Sequence, residues 1–288
     1  MRFVERRIAD RRILRLIRKW LRAGVLADGV WEDSPQGTPQ GAVISPLLAN
    51  VYLHFVLDLW AHEWRQREAQ GDVIIVRYAD DVVVGFQHHA EAMRFQEALR
   101  QRLEQHGLTL HPDKTRLIEF GRFADERRRA RGEGNPETFD FLGFTHIAGK
   151  DRRGAFQLKR KTRRDRKRGR LRAIKDQLKR LRHATPVVQG QWLRQVVSGY
   201  LNYHAVPTNL TTMRSFLRDV RRLWWQALRR RSQKDRASWA QLDRLAKRWL
   251  PRPELRHPWP EARFDRHHPR WEPGAVVPLA GFCAGGAQ

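Results

Sequence analysis

Two adjacent aspartates, Asp80 and Asp81, stand inside the most apolar stretch of the sequence, VIIVRYADDVVVGF at residues 73–86. The valines and isoleucines on either side are strong strand formers, so the stretch predicts two short strands joined by a tight turn at 79–81. Hairpin turns prefer Asn-Gly or Asp-Gly, and this turn contains no glycine. Neighbouring carboxylates beside buried strands repel one another, and a bound cation relieves that cost. The pattern therefore favours a metal-holding hairpin over a turn whose acidic residues serve solubility alone.

The chain as a whole is strongly basic. Its 288 residues include 57 Lys and Arg against 31 Asp and Glu, which gives a formal net charge of +26. Such a charge indicates a polyanionic partner, and nucleic acid is the default candidate. Solubility alone rarely needs so large an imbalance. An anionic membrane surface is another polyanion, but the sequence has no basic amphipathic segment isolated from the rest of the fold.

Composition also argues against several classes of protein. No apolar run approaches the roughly 20 residues that span a bilayer. The N-terminal sequence MRFVERRIADRR is charged throughout and lacks the apolar core of a signal peptide. The single cysteine, Cys283, excludes an internal disulfide framework and a zinc site built on paired cysteines. These features predict a soluble, cytoplasmic protein that binds nucleic acid and does not associate with a membrane.

Hydrophobic periodicity predicts the elements that would position the aspartates. Apolar residues at a spacing of three to four predict an amphipathic helix over 2–24 and another from Pro46 to about Gln70. The segment between them is rich in Gly, Pro and Ser and is predicted to be loop. The elements predicted after the hairpin are a helix over 90–106, a strand-like segment over 108–120, a flexible loop over 121–138, and a strand over 139–147 with Gly143 in its middle.

The second half of the chain has a different character. Residues 150–182 contain seventeen Lys or Arg, and blocks of this kind bind nucleic acid or remain solvated. From Leu171 onward apolar residues recur at helical spacing, and further helices are predicted over 187–204, 211–231 and 236–250. The residues after these are rich in proline and irregular. The pattern predicts an α+β first domain followed by an all-helical, basic second domain.

Five blocks, of which the last comprises three segments of the C-terminal half, resemble those of a bacterial group II intron reverse transcriptase/maturase in their order. YADD at 78–81 resembles polymerase motif C, and SPQGTPQGAVISPLLANVYLH at 34–54 resembles motif B with its following helix. GLTLHPDKTRLIEFGR and FDFLGF resemble the next two reverse-transcriptase blocks. VVSGYLNYHAVPTN, RRLWWQALRRRSQ and HPWPEARF resemble the maturase-specific thumb. The order and spacing of these motifs carry more weight than YADD alone, and the resemblance extends to about residue 265.

This resemblance implies the domain organisation of an α+β protein. Residues 1–149 would form a partial reverse-transcriptase palm, an antiparallel sheet with the YADD hairpin plus helices. Residues 150–170 would be a basic linker and the start of the thumb. Residues 171–265 would be the helical thumb and maturase-specific domain, and residues 266–288 an irregular C-terminal tail.

The resemblance also implies Mg²⁺-dependent nucleotidyl transfer on an RNA template, with a DNA primer and deoxynucleoside triphosphates. Such reactions use two metal ions about 4 Å apart, which activate the attacking 3′ oxygen and stabilise the pyrophosphate leaving group. Asp80 and Asp81 would be the catalytic, metal-binding carboxylates, because Mg²⁺ prefers oxygen ligands. Tyr78 and Ala79 would shape the turn, and the small Ala79 would leave room for the primer end.

Two further segments would contact the substrates. By resemblance, Pro39, Gln40 and Gly41 lie beside the incoming nucleotide and the template base, where glycine lets the backbone approach closely. The start of the following helix favours phosphate, and ordinary turn chemistry is the alternative explanation of this loop. Lys114 would approach the triphosphate as a cation or proton donor, and a solvated surface lysine explains it equally well.

Helices of the second domain suit binding to a group II intron RNA, which would support splicing. Phosphate contacts are expected from the arginines and lysine Arg163, Arg164, Arg166, Lys167, Arg168 and Arg170. Aromatic residues lie between the basic residues, and base stacking is one use for them. Burial in the core is the favoured expectation for each of these aromatics, which are Trp192, Tyr200, Tyr203, Trp224 and Trp225.

The family's first catalytic aspartate, in a D-x-x-x-F-F-D pattern, is expected shortly before Arg7, with the fingers ahead of it. The sequence contains neither, and Asp10 lies among arginines, where a surface ion pair is the expected role. The sequence therefore predicts the C-terminal portion of a polymerase that a missing N-terminal reverse-transcriptase segment would complete. The alternative is a non-catalytic RNA-binding maturase fragment or a decayed gene remnant, so polymerase activity of this chain stays open.

Overall fold

The computed structural model describes residues 1–22, 44–231 and 238–260, together with the backbone of two short strands at 25–27 and 30–32. The described residues divide into two compact units, Met1–Ile118 and the residues from Glu119 onward. Both units combine helices with small antiparallel sheets, and helices predominate, which agrees with the predicted α+β class. Among the described residues no helix is long and apolar enough to cross a membrane.

The first unit consists of short helices around one long hairpin. In chain order its elements are α1 (Arg2–Glu5), α2 (Arg11–Arg22), β1 (Val25–Ala27), β2 (Val30–Glu32), α3 (Ser45–Leu53), a π-helical turn (His54–Asp58), α4 (Leu59–Arg67), β3 (Val73–Tyr78), β4 (Asp81–Phe86) and α5 (His89–Glu104).

The prediction of a single helix over 2–24 is wrong, because the chain forms α1 and α2 instead. Asp10 lies between them, and its Oδ1 accepts a hydrogen bond from the backbone N–H of Arg12 at 2.7 Å. An aspartate at this position satisfies an otherwise unpaired N–H at the start of a helix and so begins a new one. Asp10 therefore caps α2, whereas the sequence suggested a surface ion pair.

An apolar cluster holds the open end of the β3–β4 hairpin. Val73 pairs with Phe86 across the two strands, and both are buried against α4 and α5. The rings of Trp64, Phe86 and Phe95 meet one another with centroids 4.9–6.2 Å apart. The buried carboxylate of Glu91 accepts hydrogen bonds from the backbone N–H groups of residues 70 and 71, which fixes the start of β3. The hairpin register is therefore set at the end opposite the aspartates.

The second unit begins with a helix and a three-stranded sheet and continues as a helical bundle. Its elements are α6 (Ala124–Ala130), β5 (Phe139–Phe141), β6 (Phe144–Lys150), β7 (Phe156–Thr162), α7 (Arg164–Arg180), α8 (Pro186–His204), α9 (Leu210–Arg229) and α10 (Trp239–Trp249). The strand order is β5-β6-β7, and both pairings are antiparallel.

Three local predictions in this stretch are wrong. The alternating pattern over 108–120 does not form a strand, because a turn at His111–Thr115 interrupts it. The segment predicted as flexible loop contains α6, whose acidic first turn, basic last turn and Asp125–Arg129 ion pair stabilise a helix of polar composition. Gly143 does not lie within a strand. It forms a two-residue turn with Leu142, and both residues have positive φ, as a type I′ hairpin turn requires.

The helical bundle buries two of the five aromatic residues that the sequence singled out, and Trp192 and Trp225 are partly buried against it. Trp224 is fully buried, and its indole N–H donates to the side-chain oxygen of Gln189 at 2.9 Å. Tyr200 is buried as well and stacks on Phe216 with centroids 3.9 Å apart. The expected core role is confirmed for these two aromatics. Tyr203 is half exposed, and its hydroxyl donates to the carbonyl of Leu142 at 2.8 Å.

A buried polar network joins the sheet of the second unit to its helices. The Asn209 side-chain amide donates to Thr162 Oγ1 at 2.7 Å and to the carbonyl of His204 at 2.8 Å. The backbone N–H of Thr162 donates to Asn209 Oδ1 at 3.1 Å. His204 Nδ1 lies 3.4 Å from Thr162 Oγ1, and burial lowers the pKa of this imidazole to about 4. His204 is therefore neutral in the folded protein at physiological pH.

The stability of the second unit should fall as the pH drops from about 6.5 towards about 4. Burial, helped by the charge of Arg160, also lowers the pKa of His146 to about 4, so both rings bind protons only after unfolding over this range. Thermal melting should show a lower transition temperature near pH 5 than near pH 7.5. His204→Gln should make that decrease smaller, whereas His89→Gln, which changes an exposed histidine, should leave it unchanged. An unchanged decrease in His204→Gln would contradict this assignment.

Candidate active site

The two aspartates lie at the closed end of the β3–β4 hairpin, which we call the YADD hairpin (residues 73–86). Tyr78 pairs with Asp81 across the strands, so the turn consists of Ala79 and Asp80. Both aspartates are exposed. Strand pairing on each side holds their backbone, and the apolar cluster holds the other end of the hairpin. The hairpin therefore presents two neighbouring carboxylates to solvent from a supported turn.

The backbone of Ala79 adopts a conformation that L-residues rarely occupy. Its φ is +55°, whereas Asp80 is not among the residues with positive φ. A two-residue hairpin turn with positive φ at its first position corresponds to type II′, in which glycine is the usual residue there. A left-handed alanine costs roughly 1–2 kcal/mol, and strain of this kind tends to occur at functional sites. The conformation needs support from neighbouring groups.

The side chain of Arg77 connects this turn to Asn50 and Asp58. Its Nε and Nη2 donate to the two carboxylate oxygens of Asp58, each at 2.6 Å. Its Nη1 donates to the carbonyl of Ala79 and to Asn50 Oδ1, each at 2.8 Å. Burial disfavours the charged form of Asp58, but the Arg77 guanidinium outweighs it and lowers the pKa of that carboxyl. The hydrogen bonds to Asp58 likewise raise the pKa of Arg77.

The carboxylates of Asp80 and Asp81 fit a magnesium ion by their donor chemistry. Mg²⁺ takes oxygen ligands, and proteins commonly bind it through one or two carboxylates while water and substrate phosphates complete the coordination. Within the part of the chain that the structure describes, no group of three or more His, Cys, Asp or Glu side chains could hold a metal ion. The hairpin therefore offers two ligands of a site that water and substrate would share.

The other residues predicted to contact substrate are exposed where the structure describes them, and three of them lie outside the described residues. Tyr78 is 66% exposed beside the turn, and its contact with substrate stays a prediction. Lys114 is exposed in a turn of the first unit, and its contact with a triphosphate stays a prediction. Pro39, Gln40 and Gly41 lie outside the described residues, so their role also stays a prediction.

The predicted RNA-binding residues on α7 and at Arg163, which immediately precedes it, form two groups. Arg163 pairs with Asp165 at 2.8 Å and Asp140 at 3.5 Å. Lys167 Nζ lies 2.9 Å from Ser215 Oγ and 2.8 Å from Asp219 Oδ2, so it connects α7 to α9. These two cations therefore have partners within the protein. The remaining four arginines are exposed, namely Arg164, Arg166, Arg168 and Arg170.

A groove between α7 and α9 adds Lys175 and Arg222, which the sequence did not single out, to Arg172, for which the sequence also suggested phosphate contact. It has a volume of about 380 Å³, and its lining also includes Asp219 and the apolar residues Leu171 and Leu223. The sequence spacing along α7 indicates that some of these cations share one helix face. Residues 164, 168, 172 and 175 recur at intervals of three and four, which places them on one face of a helix.

A match to a known protein family includes the YADD hairpin. Residues 4–146 match the family model described as reverse transcriptase (RNA-dependent DNA polymerase). These residues belong to the reverse transcriptase family. The reverse transcriptase segment includes the YADD hairpin with Asp80 and Asp81, and Lys114. It continues into the β5–β6 hairpin of the second unit.

Three curated proteins are similar to parts of this chain. Protein YkfC of Escherichia coli is 33% identical over 147 residues, which is 41% of this chain and 38% of that protein. The group II intron-encoded protein LtrA of Lactococcus lactis is 47% identical over 57 residues, 18% of this chain and 10% of LtrA. An uncharacterized 91 kDa protein in the cob intron of Schizosaccharomyces pombe is 50% identical over 48 residues, 17% of this chain and 6% of that protein. The chain therefore spans well under half the length of each relative.

Substitutions of Ala79 should report the strain in the turn. Ala79→Val should lower the free energy of unfolding by about 1 kcal/mol, because a β-branched residue tolerates positive φ poorly. Ala79→Gly should leave it nearly unchanged, because the relief of strain offsets the greater entropy of the unfolded chain. Chemical denaturation of the full chain measures both variants. A valine variant as stable as the glycine variant would show that residue 79 is unstrained in solution.

Proposed function

We propose that this chain is part of a group II intron-encoded reverse transcriptase/maturase. In this proposal the YADD hairpin holds Mg²⁺ for DNA synthesis on an RNA template. The observation that carries the proposal is the exposed Asp80–Asp81 pair on a supported turn within a reverse transcriptase segment. The similarity of part of the chain to LtrA supports the intron-encoded subclass. The first unit would then be palm, and the helical bundle of the second unit would be thumb.

The residues of the hairpin have defined roles in this proposal. Asp80 and Asp81 offer the oxygen ligands, and the paired strands hold both carboxylates in place. When bound, Mg²⁺ would stabilise negative charge on the attacking 3′ oxygen and on the pyrophosphate leaving group. Tyr78 presents an exposed ring next to the ligands, where it can contact the primer end. The template RNA, the DNA primer and the deoxynucleoside triphosphates are the substrates proposed for this site.

The second unit would bind intron RNA through its basic helices. The exposed arginines of α7 form one part of this surface, and the groove cations between α7 and α9 form another. Arginine contacts to phosphate release condensed counterions, which makes such binding strong and sensitive to salt. The net charge of +26 supports this role. It also favours a second candidate function, an RNA-binding maturase that assists splicing without polymerase activity.

The polymerase role predicts a dependence on Asp80. Primer extension by the full chain on poly(rA)/oligo(dT) with Mg²⁺ should fall roughly a hundredfold or more in Asp80→Asn, because one ligand of the metal is lost. Asp72→Asn is the matched control, since Asp72 is an exposed carboxylate at the other end of the same hairpin. It should retain full activity.

Two results would decide against this role. Extension that survives Asp80→Asn would refute the metal-binding function of the hairpin. If the unaltered chain does not extend the primer but binds intron RNA tightly and with a steep salt dependence, the non-catalytic maturase becomes the better assignment.

The RNA-binding role predicts a change in salt dependence. Replacing Arg164, Arg166, Arg168 and Arg170 together by glutamine should weaken intron RNA binding, and each lost phosphate contact should flatten the slope of log Kobs against log[salt] by about 0.7–0.9. Filter binding over a range of KCl concentrations measures this slope.

A control with the same charge change uses exposed arginines of the first unit. Replacing Arg65, Arg67, Arg94 and Arg100 by glutamine also removes four positive charges, and all four are exposed. This variant should retain most of the original slope. Equal flattening in the two variants would show that net charge acts without a localised site on α7.

A further inference from the structure

The side chain of Arg77 makes more contacts than a simple ion pair requires. Four of its five N–H donors have partners: two donate to Asp58, one to Asn50 Oδ1 and one to the carbonyl of Ala79. Both hydrogens of Nη1 are used by the last two bonds. The side chain is only 14% exposed, so these bonds form in a partly desolvated setting, where charge-assisted hydrogen bonds are strong.

The contact with Ala79 acts on the strained part of the turn. The Ala79 carbonyl belongs to the peptide group that joins Ala79 to Asp80. Holding its oxygen 2.8 Å from Arg77 Nη1 fixes the orientation of that peptide plane. The left-handed φ of Ala79 and this fixed peptide together determine where the backbone of Asp80 begins. Arg77 is therefore placed to set the direction of the first metal-binding carboxylate.

The other contacts anchor Arg77 to the helical segment behind the hairpin. Asp58 is the last residue of the π-helical turn, and His54 Nδ1 lies 3.4 Å from its second carboxylate oxygen. Asn50 lies on α3, and its amide nitrogen donates to the carbonyl of Pro46 at 3.0 Å, which leaves Oδ1 facing Arg77. A π-turn inserts an extra residue into a helix, and such turns are frequent at functional sites. Both acceptors therefore belong to a segment that is itself held in place.

We propose that Arg77, anchored by Asp58 and Asn50, is a positioning residue that holds the YADD turn in its left-handed conformation. The effect of Arg77 on metal binding rests on the proposed function of Asp80 and Asp81. The competing explanation is that Arg77 and Asp58 form an ion pair that only stabilises the fold. Lysine distinguishes the two, because its single ammonium keeps the charge but cannot reproduce the planar fork that serves Asp58, Asn50 and Ala79 together.

The test compares Arg77→Lys with Arg100→Lys in the full chain. Arg100 makes a similar two-pronged contact with Glu97, at 2.7 and 3.1 Å, on the exposed surface of α5. Three measurements are made on each variant: thermal stability, hydrogen–deuterium exchange of the peptide that contains residues 78–81, and binding of Mn²⁺ followed by electron paramagnetic resonance. Variants Asp80→Asn and Asp81→Asn define Mn²⁺ binding that does not involve the hairpin.

Arg77→Lys should speed exchange at the turn by about tenfold while exchange around residues 73 and 86 stays close to that of the unaltered protein. Its affinity for Mn²⁺ should fall roughly tenfold, the loss typical when a group that supports a metal ligand is removed. Arg100→Lys should change neither. A lower melting temperature of Arg77→Lys with unchanged exchange at the turn and unchanged Mn²⁺ affinity would overturn the proposal.

Two further results keep the test decisive. If Arg77→Lys does not fold, Asn50→Ala removes one anchor and leaves the ion pair, and it should speed exchange at the turn. Unchanged exchange in that variant would overturn the proposal. If the unaltered chain binds Mn²⁺ no better than Asp80→Asn, the proposed metal site fails, and the exchange measurements still decide whether Arg77 holds the turn.

Discussion

The hydrogen-bonded ion pair between Arg77 and Asp58 supports the part of the molecule on which the proposed chemistry depends. The YADD turn exposes two like charges and contains an alanine at φ +55°, so the turn is unfavourable by itself. An apolar cluster around Trp64, Phe86 and Phe95 holds the hairpin at its open end. Arg77 acts at the closed end, where the chain leaves the core. The combination lets an exposed turn keep one conformation.

The two units carry charge in different ways. In the first unit the exposed aspartate pair is a local negative site in a chain whose net charge is +26. In the second unit some cations are bound internally, such as Lys167 to Asp219, while the exposed arginines of α7 are available for phosphate. Under the proposed function, the aspartate pair would hold Mg²⁺ and the exposed arginines would contact RNA phosphates. The buried network of Thr162, His204 and Asn209 fixes α8 and α9 against the sheet of this unit.

Sequence patterns predicted the elements with strong periodicity. The YADD hairpin, α5, α8 and α9 formed close to their predicted bounds, because each has an uninterrupted apolar pattern. The failures occurred where a single local contact outweighed the pattern. Asp10 caps a new helix and divides the first predicted one, and the turn at 111–115 breaks an alternation. In α6 charge placement stabilises a helix that has little apolar periodicity.

The sequence by itself determined the family motifs, the strongly basic charge and the position of Asp80 and Asp81 between two strands, because these depend on residue type and short spacing. Only the tertiary structure decided which cations are engaged inside the protein and what supports the YADD turn. Arg77 contacts Asp58 and Asn50 at separations of 19 and 27 residues, and Lys167 contacts Ser215 at a separation of 48. No local periodicity records such pairs. They form because packing of the strands and helices brings the donor and acceptor atoms within hydrogen-bonding distance.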